Sequence, residues 1–284
     1  MKIGFIGAGK VGCSLGKYFS IHGVTITGYF SRTAASAKDA AQFTNSTYYS
    51  SQKELIADSD VIFLTVTDGA ISSVWNSIKG ANLAGKIICH CSGSLSSGIF
   101  SDIHDFGAYG YSIHPLYAIP SKTTSYQDLA HTLFTLEGHA AHLQDMKEFL
   151  EHLGNPVQII ATEEKAKYHA AAVFASNHVV ALSQVAMDLL MQCGFSSEHA
   201  LSAIGPLMQG NVAHIVTDGP VSSLTGPVER NDVTTIEKHL HCMPPEYHAL
   251  YKELSKVLIT IGKTRHPEEN YAPMEELLSN QDEP

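Results

Sequence analysis

The chain has 284 residues, and 28 acidic against 18 basic side chains give it a net charge of −10 at pH 7. Because hydrophobic residues make up 44% of the sequence, a disordered chain is excluded. The acidic balance argues against binding of nucleic-acid phosphates, although local amides and one arginine can still bind a small anion. The length allows one large domain or two ordinary ones.

The cysteines indicate the cellular compartment. There are five, sparsely spaced and without a CxxC pair, which predicts reduced thiols in a cytoplasmic protein. Cys89-His90-Cys91 resembles part of a metal site, but in a strand His90 points away from its neighbours and no second cluster occurs, so no metal is expected. We also expect no targeting segment and no membrane span, since no run of about 18 apolar residues is present.

Short apolar runs alternate with helical patterns in the first half of the chain. Strands are predicted over residues 2–6, 24–30, 60–66, 86–91 and 108–113, and two more over 131–136 and 157–160. Helices are predicted near 10–22, 33–43, 69–79 and 140–153. This alternation predicts a mostly parallel, doubly wound sheet covered by helices on both faces.

Helical patterns dominate after about residue 162. One long helix is predicted over 163–193, ending at Gly194, followed by a helix capped by Ser196 or Ser197. A further helix is predicted from Pro244 to about residue 261, and the polar tail from Lys263 is expected to fray. We therefore expect two domains, an α/β domain over 1–160 and an all-α domain over 161–284.

A glycine-rich string follows the first strand and opens the first helix. Its residues are Gly7, Ala8, Gly9, Lys10, Val11 and Gly12, a G-x-G-x-x-G within a strand–helix–strand unit. In this setting the glycines allow a tight turn, close approach to a pyrophosphate and helix–strand packing. The string predicts a Rossmann-type dinucleotide site, and a plain glycine-rich turn is the alternative.

The end of the second strand predicts which dinucleotide is bound. An NAD site usually places an acidic residue there, whereas this chain has Ser31, Arg32 and Thr33. Hydroxyls and a guanidinium suit a 2′-phosphate, so NADP(H) is predicted, unless Arg32 merely solvates a surface turn. The residues after the 60–66 strand are expected to flank the cofactor: Thr65, Val66 and Thr67.

Two polar residues follow later strands, where substrates bind in such sheets. Ser92 could hold a substrate oxygen, or it could bond its own loop backbone. His114 precedes Pro115 and could donate a proton to a carbonyl or imine, or it could be a structural histidine.

The predicted long helix carries a polar stripe on an Ala-rich background. His169 and Asn177 share a face at i, i+8, and Lys165 extends that face by one turn. Because buried polar groups need partners, the stripe predicts a substrate site or, alternatively, an interhelical hydrogen bond. His169 is the preferred proton donor, and Asn177 and Ser92 would orient the substrate.

A polar loop over residues 224–232 offers a cation. Arg230 could bind a substrate carboxylate in bidentate fashion. The alternative is a capped surface turn held by Glu229 and Asp232.

These strings resemble a known superfamily, the 6-phosphogluconate-dehydrogenase-like and pyrroline-5-carboxylate-reductase-like proteins. The resemblance is greatest to an uncharacterised family with a Rossmann-like N-domain and a helical C-domain of unknown function. Besides the glycine loop, the strings that carry it lie at residues 112–116, 168–171, 176–177 and 224–228. Hydroxyacid dehydrogenases of the superfamily have a lysine four residues before the helix asparagine, where this chain has Val173.

The resemblance implies an NADP(H)-dependent oxidoreductase. Hydride would pass between nicotinamide and a small, carboxylated carbonyl or imine, with His169 or Lys165 replacing the missing lysine. It also implies a homodimer formed through the helical domain. Because Val173 stands in place of that lysine, a catalytically silent NADP(H)-binding sensor is the alternative.

Overall fold

Residues 1–280 are described by a computed structural model, in which the chain forms two compact units. The first is Met1–Phe174 and the second begins at Ala175. The division falls later than the expected one at 160/161. The helical segment that follows residue 164 therefore belongs to the sheet unit, and its polar side chains belong there too.

The first unit is built on one eight-stranded sheet. The strands are β1 (Lys2–Ile6), β2 (Thr25–Phe30), β3 (Thr47–Tyr48), β4 (Val61–Leu64), β5 (Ile87–His90), β6 (Tyr109–Pro115), β7 (Phe134–Gly138) and β8 (Val157–Ile159). Their order is β3-β2-β1-β4-β5-β6-β7-β8, and every pair is parallel except the antiparallel β6 and β7. The predicted Rossmann-type sheet is confirmed, and β3, with two residues, is too short to show a sequence pattern.

Helices cover both faces of the sheet. In the first unit they are α1 (Lys10–Ile21), α2 (Ala34–Thr44), α3 (Gln52–Asp58), α4 (Asp68–Ile78), α5 (Leu143–His152) and α6 (Lys165–Phe174). Successive strand residues point to opposite faces, so Phe63 packs in one buried cluster and Leu64 in the other. Both clusters are apolar, which leaves the carboxyl ends of the strands as the polar edge of the unit.

The predicted single helix over 163–193 is wrong. It forms two helices, α6 and α7 (Asn177–Gln192), separated by a turn at Ala175 and Ser176. Ser176 has non-helical backbone angles, φ −132° and ψ −77°. Helical spacing therefore does not extend across the turn, and it no longer places His169 and Asn177 on one face.

The second unit is helical, as predicted. Besides α7 it contains α8 (Ser197–Ser223, interrupted at Gly219), α9 (Val233–Cys242), α10 (His248–Arg265) and α11 (Ala272–Ser279). The predicted fraying after Lys263 is wrong for the described residues, because Met274 and Leu278 of α11 are buried with Ile236 and Ile259, and the prediction for residues 281–284 lies outside the described residues. Burial of these apolar side chains holds α11 against the other helices of the unit, although the surrounding tail is polar.

One described stretch, Thr162–Gln192, is long and apolar enough to cross a membrane by length and composition alone. An 18-residue segment of it has a mean hydropathy of 1.4. The stretch is not an uninterrupted apolar run, since it includes Lys165, Lys167 and Asp188. None of the residues in this apolar segment is buried.

Candidate active site

The glycine turn is fixed by the end of β4. Gly7 has φ +114°, and its N–H donates to the Phe30 carbonyl at 2.8 Å. A Cβ on Gly7 would lie 2.4 Å from the Thr65 carbonyl oxygen, and one on Gly12 would lie 2.4 Å from Thr65 Oγ1. Thr65 Oγ1 donates to the Gly7 carbonyl at 2.9 Å. Thr65 thus shapes the turn from within, a role that the sequence pattern did not reveal.

Gly9 differs from its neighbours because no protein atom crowds it. The nearest atom to a Cβ built there, the Thr65 carbonyl oxygen, is 4.0 Å away. Gly9 is the N-cap of α1, where no described side chain caps the helix, and the first turn has no acidic residue. Free N–H groups at the positive end of a helix, beside open space, suit a phosphate.

The predicted cofactor residues share one cavity of about 460 Å³. Those that line it are Gly7, Ala8, Gly9, Ser31, Arg32, Thr33, Thr65, Val66 and Thr67. The remaining three, Lys10, Val11 and Gly12, form the first turn of α1 next to it. Arg32 is exposed at the cavity's edge, beyond the end of β2. The donor set, with backbone N–H groups and one guanidinium, therefore fits a dinucleotide with a further phosphate.

His114, near the end of β6, contacts Tyr168 of α6. Its Nδ1 lies 2.7 Å from the Tyr168 hydroxyl. Burial, followed by the charges of Lys165 and His169, lowers the pKa of His114 to about 4, so the ring is neutral at pH 7. Burial also raises the pKa of Tyr168, which keeps its proton. Sequence reasoning missed Tyr168 because the contact joins positions 54 residues apart.

Two histidine rings converge on Gly93, in the loop after β5. A Cβ on Gly93 would lie 2.7 Å from His169 Nδ1 and 3.0 Å from His114 Nε2. His169 Nδ1 is buried and has no hydrogen-bond partner among the described residues. A glycine at this position allows both ring nitrogens to face the same point of the backbone.

Lys165 opens α6 and is 2% exposed. Its Nζ has no hydrogen-bond partner among residues 1–280 and lies 5.4 Å from the centre of the Tyr168 ring. Burial lowers the pKa of Lys165 to about 8, against the opposing charges of Glu137, Cys91 and Asp68. The predicted residues Lys165, His169 and His114 are thus brought together by the sheet unit.

The hydroxyl of Ser92 bonds the backbone of its own loop, as the alternative for this residue described, and also the first residue of α4. It donates to Asp68 Oδ2 at 2.8 Å and accepts from the Leu95 N–H at 2.9 Å. His90 supports the same loop, because its Nδ1 accepts from the Ser92 N–H and its Nε2 lies 3.1 Å from the Ser96 carbonyl oxygen. A substrate contact by Ser92 stays a prediction.

Asn177 and Arg230 lie in the second unit, where both are exposed. The loop of Arg230 has the bonds of a capped surface turn: Asp232 accepts from the Thr235 N–H at 3.0 Å, and Glu229 Oε1 lies 2.9 Å from His266 Nε2. Substrate binding by Asn177 and Arg230 stays a prediction.

Comparison with known proteins finds two family models that match successive parts of the chain, and the second match crosses the boundary between the two units. Residues 1–115 match the family model of a Rossmann-like domain, and residues 132–258 match that of DUF2520, a domain of unknown function. The chain is therefore similar to a Rossmann-like domain followed by a DUF2520 domain. The predicted combination of an N-terminal dinucleotide-type domain with a C-domain of unknown function is confirmed. No curated protein matches the chain.

Several solved structures share the fold over nearly their whole length. Protein TM1727 from Thermotoga maritima is 28% identical with a TM-score of 0.74, covering 92% of this chain and 98% of that one. A reductive aminase from Aspergillus terreus in complex with NADPH and ethyl-5-oxohexanoate is 17% identical, with a TM-score of 0.65 and coverage of 97% and 98%. Plasmodium falciparum pyrroline carboxylate reductase with NADP bound is 15% identical, with a TM-score of 0.60 and coverage of 93% and 98%.

Proposed function

We propose that this protein is an NADP(H)-dependent oxidoreductase acting on a small carbonyl or imine that carries a carboxylate. The observation that carries this proposal is a dinucleotide-type cavity and a cluster of buried Lys165 with half-buried His114 and Tyr168 at the same carboxyl edge of one sheet. When bound, the nicotinamide supplies the hydride chemistry, and the protein supplies orientation and electrostatics. Complexes of the Aspergillus and Plasmodium proteins with NADPH and NADP support the choice of cofactor.

The roles of this chain's residues follow from their positions. The N–H groups of the glycine turn and α1 would bind the pyrophosphate, and Arg32, with Ser31 and Thr33, would bind the 2′-phosphate. Neutral His114 would offer Nε2–H as a donor if Tyr168 donates to its Nδ1. His169, whose Nδ1 is buried without a partner, would bind the substrate beside it.

The direct test is NADPH binding followed by turnover. NADPH is expected to bind and to be consumed with members of a panel of ketoacids, ketones and cyclic imines, followed by the nicotinamide absorbance. Tight NADPH binding with no consumption across the panel would instead support the silent sensor. Absence of NADPH binding would contradict both functions.

Arg32→Gln tests the cofactor preference. Because the guanidinium would pair only with a 2′-phosphate, the variant should bind NADPH at least about tenfold more weakly, a loss of about 1.4 kcal/mol, with NADH binding unchanged. Titration of nicotinamide fluorescence measures both affinities. Lys38→Gln removes an exposed positive charge from α2, outside the cavity, and serves as the matched control. Equal weakening of NADPH and NADH would show that Arg32 does not read the 2′-phosphate.

We also propose a homodimer formed through the helical unit. Large apolar side chains are exposed on α7 and α8: Val180 at 71%, Leu207 at 66% and Val216 at 80%. Large exposed apolar side chains on two helices suit an interaction site, and a second copy of the chain would cover them. Light scattering on the purified protein should give twice the chain mass, and Val216→Asp should shift it toward the monomer. Ile21→Asp, at an exposed apolar residue of α1, should not. A monomeric wild type at all concentrations would contradict the dimer.

A further inference from the structure

A buried ammonium group without a hydrogen bond is costly for a folded protein, because it has lost water and gained no acceptor. Lys165 is in this situation: it is 2% exposed, and its Nζ has no partner among the described residues. The neighbouring Lys167 of the same helix is exposed and pairs with Glu164. The two lysines therefore differ in their surroundings, and a bound molecule could supply the acceptor that Lys165 lacks.

The surroundings of Lys165 come from several elements of the sheet unit. The titratable groups that face it are Glu137 of β7, His90 and Cys91 at the end of β5, Asp68 of α4, His114 of β6 and Tyr168 of α6. The histidines are held neutral at pH 7 by burial, which lowers the pKa of each to about 4. At pH 7 Lys165, and neither of these histidines, is therefore a positively charged group that can donate a proton.

Glu137 is the buried counter-charge of Lys165. It is 1% exposed, and its carboxylate accepts hydrogen bonds from the Ser97 N–H at 2.7 Å, Ser97 Oγ at 2.7 Å and Thr162 Oγ1 at 3.1 Å. Thr162 lies one turn before Lys165 in the chain. Glu137 therefore acts on Lys165 in two ways, through its negative charge and by anchoring the segment that leads into α6.

We propose that Lys165 donates the proton to the substrate, that Glu137 is its positioning residue, and that the site consequently prefers a carbonyl to a protonated imine. This inference rests on the proposed oxidoreductase function. His114 is a poor proton donor at pH 7 because its ring is already neutral. Lys165 combines a transferable proton with an open hydrogen-bonding position.

The proton balance explains the preference for a carbonyl. As hydride from the nicotinamide adds to the carbonyl carbon, the C=O π pair moves to oxygen, a Lys165 Nζ–H bond breaks and an O–H bond forms. The ketone becomes an alcohol, and the neutral amine of Lys165 later takes a proton from water. A protonated imine already carries its proton and its positive charge, so it needs no donor and is repelled by the ammonium.

The first experiment needs no activity. NMR titration of the protein with isotope-labelled lysine side chains should show Lys165, identified by its loss in Lys165→Met, titrating near pH 8. Glu137→Gln removes the negative charge that favours the ammonium, so the pKa of Lys165 should fall by about one unit. A pKa unchanged in Glu137→Gln would overturn the role of Glu137. If Glu137→Gln does not fold, Thr162→Val removes the bond through which Glu137 anchors the segment before Lys165, and a pKa and kcat unchanged in that variant would overturn the positioning role.

The second experiment measures turnover. With ketones, kcat/KM of the wild type should fall as pH rises through about 8, because the donor loses its proton, and in Glu137→Gln this fall should begin at lower pH. Lys165→Met should lower kcat for ketones at least about 100-fold with NADPH binding unchanged, and Lys165→Arg should lose kcat as well because arginine does not release its proton. Lys167→Met is the matched control and should behave as wild type.

The outcomes separate this inference from the proposed function. If NADPH binds and the wild type reduces imines faster than ketones, or if Lys165→Met keeps its kcat and raises only KM, Lys165 is an anchor or a bystander and this inference fails alone. If the wild type consumes NADPH with neither class of substrate, the proposed function fails, and this inference fails with it.

Discussion

Replacing Gly9 by alanine should weaken NADPH binding at least about tenfold while leaving the free energy of unfolding nearly unchanged. No protein atom comes closer than 4.0 Å to a Cβ at this position, so the added methyl group finds room in the protein alone. Gly9 has φ −81°, a value that alanine adopts freely. The methyl group would instead occupy the space that a pyrophosphate needs to reach the backbone N–H groups. Fluorescence titration with NADPH and urea unfolding measure the two quantities.

Gly12→Ala is the matched control and should behave in the opposite way. A Cβ there would lie 2.4 Å from Thr65 Oγ1 and 2.6 Å from the Gly7 carbonyl oxygen, which is backbone. Overpacking of this kind should cost about 3 kcal/mol and lower Tm by about 6–12 °C. If Gly9→Ala bound NADPH like wild type, or lost stability as Gly12→Ala does, the glycine loop would be a structural turn and not a phosphate site.

Acidification from pH 7 to pH 4 should destabilise the sheet unit through two histidines, the buried His90 and the half-buried His114. Burial is the main cause that lowers the pKa of His90 and His114 from 6.5 to about 4 in the folded state. Between these pH values the unfolded chain binds protons that the folded chain does not, so the free energy of unfolding decreases as the pH is lowered from 7 to 4. A shift of this size corresponds to roughly 3 kcal/mol for each ring.

Urea unfolding at pH 7, 6, 5 and 4 measures this loss. His90→Gln removes one of the two groups while keeping an amide that can replace its bonds to the loop, so its stability should depend less steeply on pH. Carboxylates contribute equally to both proteins and cancel in the comparison. His131→Gln, at an exposed histidine, should leave the wild-type slope unchanged. Equal slopes for His90→Gln and wild type would mean that His90 is not held neutral by burial.

The sheet and the cofactor cavity were accessible from the sequence because both depend on local signals. A strand of buried residues, a glycine string and a helix follow one another within the first 21 residues. The carboxyl ends of parallel strands meet at one edge whatever their order, so Arg32 and Thr65 could be assigned to one site before the strand order was known. Their sequence positions were sufficient for that inference.

The cluster of Lys165, His114 and Tyr168 could be predicted only in part from the sequence, because its contacts join residues that are distant in the chain. The His114–Tyr168 pair joins β6 to α6, and Glu137 reaches the cluster from β7, the strand that runs antiparallel to β6. No periodicity in a single element reports such pairings. The turn at Ala175 and Ser176 was missed because Ala-rich helical spacing continues on both sides of it. Helix propensity alone does not place a break in such a sequence.

Residues 65–68 form one short turn that contacts both the glycine loop and the loop after β5. Thr65 is bonded to the glycine loop and Asp68 to Ser92, so a substitution in this turn would alter the cofactor cavity and the loop after β5 together. Ser31, Arg32 and Thr33 line the cavity from the end of a different strand. For protein engineering, cofactor preference is best changed at residues 31–33. Residues 65–68 are best left unchanged, because they contact both the cofactor cavity and the loop after β5.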